Sequence, residues 1–256
     1  MRYEMMRDRR LLAILSALAL VTVYVVFYAT TSDCIVNLGE YNGPRPYAVK
    51  ETISSRCLVS SRWMQLRQHK LLSPQGDVID DWLFIDYHDR INVLAEVGGD
   101  KGTGVVGKFQ VMRQKKYALE DRTSTAVVGG IIEAGETAEV AARRELEEEL
   151  GLVTTELVFL GRFRTDVNRG MGWVNSFLAR RCTPSAKAVE QKRRQRRLGE
   201  GGEVGKADVE RQQLVQLSFQ ELRQEAARGS FIEVQWSNTV SLAILHIFEE
   251  NASGID

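Results

Sequence analysis

Residues 130–152 read GIIEAGETAEVAARRELEEELGL, and the spacing inside this run sets the reading of the whole chain. A helix opening near Thr137 places Glu145, Glu148 and Glu149 at i, i+3 and i+4, so three carboxylates converge on one side. Ala138, Ala142, Leu146 and Leu150 recur every four residues and supply an apolar stripe that seats the helix on a sheet. Like charges at this spacing weaken a helix by roughly a few tenths of a kcal/mol per pair. Such a cluster calls for a counter-charge. Hard divalent cations with oxygen ligands provide one, and Mg²⁺ binds through a few carboxylates together with substrate phosphates.

The plain alternative is a solvated charged face, partly neutralised by Arg143 and Arg144. The glycine-rich entry argues for more. Gly129, Gly130 and Gly135 let the backbone turn tightly and approach a ligand closely, just before a helix N-terminus that favours anions. The run resembles the signature of the Nudix hydrolase family, G-x5-E-x7-R-E-U-x-E-E-x-G-U with U aliphatic. Gly130, Glu136, Arg144, Glu145, Leu146, Glu148, Glu149, Gly151 and Leu152 fill all nine constrained positions. The resemblance implies hydrolysis of a nucleoside diphosphate linked to another moiety, with Mg²⁺ or Mn²⁺ as cofactor. It implies Glu145, Glu148 and Glu149 as metal ligands, with the Gly129 carbonyl as a fourth. Arg144 then orients the carboxylates, Glu136 binds a further metal through water, and Glu145 is a candidate base. Family mechanisms differ on whether the base lies here or in a downstream loop. Glu200, Glu203 and Glu210 are candidates for a further acidic residue.

The strand-like Val111–Tyr117, VMRQKKY, resembles the V-x-R-Q-x-R-aromatic strand of ADP-ribose and nucleotide-sugar pyrophosphatases. The stretch from Arg62-Trp63 through Pro74-Gln75-Gly76 to Trp82 also resembles their N-terminal region. This implies Arg113, Gln114 and Lys116 as substrate-binding residues, with Arg113 or Lys116 on a phosphate. A paired surface cation at a strand end is the plain reading of either. Trp173 suits stacking on a base, or an ordinary place in the core. Three departures stand out. Ala126-Val127-Val128 replaces the subgroup's E-x-P before the glycines, Lys116 replaces a bidentate arginine with a point charge, and Asn168 stands where a proline is expected. Dinucleoside polyphosphates and a non-catalytic nucleotide-binding module are the rival readings.

Ahead of all this lies Leu11–Ala29, LLAILSALALVTVYVVFYA, which carries no charge. As a helix it spans roughly 28 Å, about the hydrocarbon thickness of a bilayer. Arg2, Arg7, Arg9 and Arg10 precede it, so the positive-inside rule puts the N-terminus in the cytoplasm and the folded domain on the lumenal or extracytoplasmic side. A core helix would show a broader polar face than Ser16 and Thr22. A cleaved signal peptide needs a shorter apolar run and a better site than Ala29-Thr30-Thr31. In that compartment Cys34 and Cys57 can pair, leaving Cys182 free. Asn251-Ala252-Ser253 is then a usable glycosylation sequon.

The chain has 256 residues, 44% of them hydrophobic, and a formal net charge of zero. A sizeable core is affordable, and no global charge draws it to nucleic acid. The organisation reads as a basic segment (1–10), a transmembrane anchor (11–29), a stalk (30–57) and a hydrolase domain (58–250). Within the domain, Cys57–Gln68 reads as a strand, Ser73–Asp77 as a turn and Trp82–Tyr87 as its partner. Ile91–Val97, Val105–Met112, Leu157–Arg162 and Trp173–Ala179 read as further strands. Ser218–Ala227 and Thr239–Glu249 read as helices, with Leu242, Leu245, Ile247 and Phe248 as core contacts. Strands, one central helix, strands and terminal helices make an α+β layered domain. The Nudix resemblance implies the same, a mixed sheet sandwiched between helices. Residues 183–213 form a basic, glycine-rich insert without apolar periodicity. Lacking interleaved aromatics, it gives no case for dedicated nucleic-acid binding. The expected partners are a small-molecule nucleotide, the membrane through 11–29 and, by resemblance, a second copy near residues 58–87.

Overall fold

A computed structural model of the chain describes residues 34–44, 46–100, 105–190 and 212–253. The Leu11–Ala29 run and the centre of the basic insert, 191–211, lie outside these. Among the described residues, no helix is long and apolar enough to cross a membrane. The described chain divides into two compact units.

The first unit covers residues up to 42 and 46–86. Its strands β1 (Val36–Asn37), β2 (Thr52–Ser60), β3 (Met64–Leu72) and β4 (Val78–Tyr87) lie in chain order. β1 runs parallel to β2, and β2 antiparallel to β3. A disulfide joins Cys34 to Cys57. One reading is corrected here. Cys57–Gln68 is not one strand, because Ser61 Oγ accepts from the backbone N–H of Trp63 and Met64 and turns the chain. β2 begins at Thr52 and pairs along β3. Buried His69 and Phe84 meet edge to face at 4.8 Å, and Tyr47 meets Phe84 edge to face at 4.9 Å. Burial, helped by Arg67, holds the His69 imidazole below its ordinary pKa.

The second unit takes in 43–45 and the chain from Tyr87 onward. Its strands are β5 (Arg90–Val97), β6 (Lys108–Gln114), β7 (Ser124–Ala126), β8 (Val128–Ile131), β9 (Leu152–Val153), β10 (Glu156–Asp166), β11 (Gly170–Pro184) and β12 (Gln213–Leu217). Its named helices are α1 (Ala138–Leu150), α2 (Phe219–Ala227) and α3 (Val234–Ser253). β11 pairs parallel with β5, and β5–β6, β5–β8, β6–β12 and β10–β11 are antiparallel, so the sheet is mixed. Successive strand residues point to opposite faces, and two glycines of β8 show what covers each. A Cβ on Gly129 would point toward Trp236 of α3, and one on Gly130 would run into Glu145 of α1. The sheet is therefore sandwiched between α1 and α3, as expected. Ile91, Val93, Phe177 and Leu178 fill the sheet between them, with Leu146 from one side and Val240 and Ile247 from the other.

Capping sets the helix ends. Thr137 Oγ1 accepts from the N–H of Val140, and Gly151, at φ 65°, closes α1 with its N–H on the Glu147 carbonyl. Ser218 and Glu221 form a reciprocal capping box on α2. α3 differs from its expected face. Leu245 and Phe248 are exposed, while Trp236, Val240, Ala243 and Ile247 are buried. The helix begins five residues earlier than read, and the buried stripe follows that start.

Candidate active site

Arg144 organises the helix that the sequence singles out. Its Nε and Nη2 donate to the two carboxylate oxygens of Glu136 at 2.8 and 2.9 Å, a bidentate fork. Nη1 donates to Glu145 Oε1 at 2.7 Å and lies 3.7 Å from Glu148 Oε2. Nη2 also reaches the Ile131 carbonyl at 3.1 Å, which pins the helix to the end of β8. Glu136 in turn accepts from the N–H of Glu133 at 3.0 Å, closing the loop before the helix. One guanidinium thus gathers three acids and a backbone carbonyl.

The electrostatics follow. The Arg144 hydrogen bonds hold Glu136 below its ordinary pKa despite a desolvation cost. The same bonds keep Arg144 protonated more firmly than usual, Glu136 first. Burial pushes Glu145 above its ordinary value; Arg144 opposes this, and Glu148 and Glu136 add to it. Glu145 lies against bare backbone: a Cβ on Gly130 would fall 2.1 Å from its Oε1. Glycine is required there by contact, a separate matter from backbone conformation. Gly135, at φ 86°, is glycine for the turn it makes.

The structure brings Glu136, Arg144, Glu145 and Glu148 together, with Glu149 on the same helix. Among the described residues, no three acidic, His or Cys side chains already form an enclosed cation cage. The donor chemistry nonetheless fits a hard divalent ion. Carboxylate oxygens at i, i+3 and i+4 stand beside a glycine strand whose carbonyls are backbone oxygens, and such ions complete their shells with water and substrate phosphate.

The expected substrate residues fare differently. Arg113 lies 3.5 Å from Glu225 of α2, whose other oxygen accepts from Thr125. Gln114 is buried and accepts from Gln212. Lys116 precedes a 3₁₀ turn and contributes positive field at Glu233. Their alternation on one strand did not reveal that Glu225 and Gln212, far along the chain, would take up the first two. Glu200, Glu203 and Glu210 lie outside the described residues. Glu233 was not foreseen. It is held above its ordinary pKa by burial, against the pull of Arg90 at 3.8 Å and of Lys116. No local pattern marks it.

A family model described as the NUDIX domain matches residues 100–233. The chain belongs to the Nudix family. A solved structure of an ADP compounds hydrolase is similar over 83% of this chain and 98% of that one, with a TM-score of 0.58 and 15% identity. At that identity the likeness is one of fold. No curated protein matches the sequence. The chain is a Nudix pyrophosphohydrolase, and its reaction class is hydrolysis of nucleoside diphosphate compounds.

Proposed function

We propose that this Nudix enzyme cleaves the pyrophosphate bond of a nucleotide-sugar or ADP-ribose-type diphosphate and releases a nucleoside monophosphate. The observation that carries the reading is the Arg144 fork, which gathers Glu136, Glu145 and Glu148 beside the glycines of β8. The ADP compounds that the structural neighbour hydrolyses, and the V-x-R-Q strand at Val111–Tyr117, support the substrate class.

Glu145, Glu148 and Glu149, with the Gly129 carbonyl, would hold Mg²⁺ or Mn²⁺. When bound, such an ion neutralises phosphoryl oxygens and acidifies a water. The chain's own residues supply position. Arg144 fixes the rotamers of Glu136 and Glu145 through charge-assisted bonds. Thr137 and the first free N–H groups of α1 present a positive helix end toward an anion. Glu145, seated against Gly130 and bonded to Arg144, is the candidate base on this helix.

The chain is further read as a single-pass membrane protein through 11–29, with this domain on the lumenal or extracytoplasmic side. The Cys34–Cys57 disulfide supports an oxidising compartment.

The test is to incubate the full chain with ADP-ribose, sugar nucleotides and dinucleoside polyphosphates, with and without Mg²⁺. Metal-dependent release of a monophosphate is expected from the first two classes. Glu148→Gln should remove this turnover by at least roughly a hundredfold and leave the melting temperature in place. Undiminished turnover in that variant would sink the assignment of α1 as the metal helix.

A further inference from the structure

Arg162 and Arg164, two residues apart on β10, pair with Asn175 and Trp173 on β11. Their guanidinium carbons lie 4.5 and 5.1 Å from the centre of a Trp173 ring. Both are within cation–π range, where a planar guanidinium stacks on the ring and is held in orientation. Asp89 ties the cluster down. One of its oxygens accepts from the backbone N–H of Trp173 and the other from Arg162, each at 2.9 Å. The Asp89 carbonyl accepts from the N–H of Ile132 at 2.9 Å, the first residue of the loop leading from β8 to Glu136.

Strand register places this cluster relative to the carboxylates. Asn175 pairs with Ile91, and Ile91 with Gly130. Paired residues share a face of a sheet, as do residues two apart. Trp173, Arg162 and Arg164 therefore lie on the face of Gly130 on which Glu145 rests. They sit toward the end where β8 runs into its loop, because Val174 pairs with Arg90 and Arg90 with Ile131. At the usual strand spacing and rise, Trp173 is about 12 Å from Gly130 along the sheet. From Val174 to Arg180, β11 is buried throughout, whereas Trp173 stays half-buried.

We propose that Arg162, Trp173 and Arg164 form the nucleobase subsite of this enzyme, taking a purine in preference to a pyrimidine. The inference rests on the pyrophosphohydrolase reading and names the moiety that the same site holds beyond the phosphates. A flat, positively charged stack suits an aromatic base with a phosphate attached, because bases stack on indole and guanidinium planes. A sugar offers neither a flat π-face nor a charge. The larger face of a purine makes more dispersion contacts than that of a pyrimidine. Asp89 links the subsite to the loop of Glu136, so the base and the carboxylates share one support.

The full chain is tested with AMP, UMP and ribose 5-phosphate as probes, by tryptophan fluorescence and by competition with turnover. AMP should quench the parent and leave Trp173→Phe unresponsive. In Arg164→Gln and Trp173→Leu the dissociation constant for AMP should rise roughly tenfold, the scale of one lost stacking contact. UMP should be affected less and ribose 5-phosphate not at all, while KM rises more than kcat falls. Variants that melt like the parent and keep its AMP affinity overturn the subsite. Equal losses for AMP and ribose 5-phosphate overturn it as well, because the contact would then be to phosphate. AMP binding that depends on Trp173 without turnover of any diphosphate upholds the subsite and defeats the hydrolysis reading. Turnover with AMP affinity indifferent to all three residues does the reverse.

Discussion

Gly129 and Gly130 are neighbours in sequence with different reasons for being glycine. Gly130 has the Glu145 carboxylate where a Cβ would stand, at 2.1 Å; at Gly129 the nearest atom is Asn92 Nδ2, at 3.3 Å. Alanine at 130 must displace Glu145 from Arg144 and from the strand. Gly130→Ala should lose most turnover and about 1–3 kcal/mol of stability, as overpacking does. Gly129→Ala should cost less on both counts. Turnover assays and urea unfolding of the pair check this; equal behaviour would mean that Glu145 does not rest against Gly130. At this scale the motif was legible through its resemblance to the Nudix signature. Arg144, Glu136 and Glu145 lie within ten residues, so helix and loop geometry bring them together. The contacts of Arg113 and Gln114 with Glu225 and Gln212 were not legible, because a strand pattern cannot show partners so far along the chain.

The helices illustrate where periodicity suffices and where it does not. α1 declares its buried side through Ala142, Leu146 and Leu150, since only one face is apolar. α3 is apolar around much of its circumference, and its true buried stripe is Trp236, Val240, Ala243 and Ile247. Its far end is held by charge. Arg180 of β11 lies between Glu96 of β5 and Glu250 of α3, and Glu96 is fully buried. Glu96 also accepts from the N–H of Gly107 at 2.7 Å. Removing Arg180 leaves a buried carboxylate without its cation, so Arg180→Ala should destabilise the second unit by about 3–5 kcal/mol. Urea unfolding measures this, and a loss under roughly 1 kcal/mol would indicate a surface-like pair.

For the molecule as a whole, the three cysteines differ in state. Cys34 and Cys57 are bonded, and Cys182 is buried with its thiol pushed up to about 12, first by burial. Alkylation of the native protein at pH 8 should therefore label none of the three, because the thiolate is the reactive form. Unfolding alone should expose Cys182, and only reduction should release the other two. Reduction should also cost the first unit about 3 kcal/mol, given a closed loop of this length. Labelling of Cys34 or Cys57 without reductant would remove the support for a lumenal or extracytoplasmic domain. How far the fold could be read in advance follows the same division. The layered α+β class was evident from the order of strands and helices. The split of 52–72 into two paired strands was not, because a serine-capped turn at Ser61 carries no hydrophobic period.

What the sequence determined by itself is the reaction class, since its machinery is local. The glycines, Glu136, Arg144 and the three helix carboxylates sit in one continuous run whose geometry follows from a turn and a helix. Tertiary structure alone decided which groups distant in the chain meet elsewhere in the second unit. Arg180 meets Glu96 and Glu250 across 84 and 70 residues, and Asp89 meets Arg162 and Trp173 across 73 and 84. Such contacts depend on strand order and register. Hydrophobic periodicity constrains which face a residue takes, and leaves open which strand lies beside it.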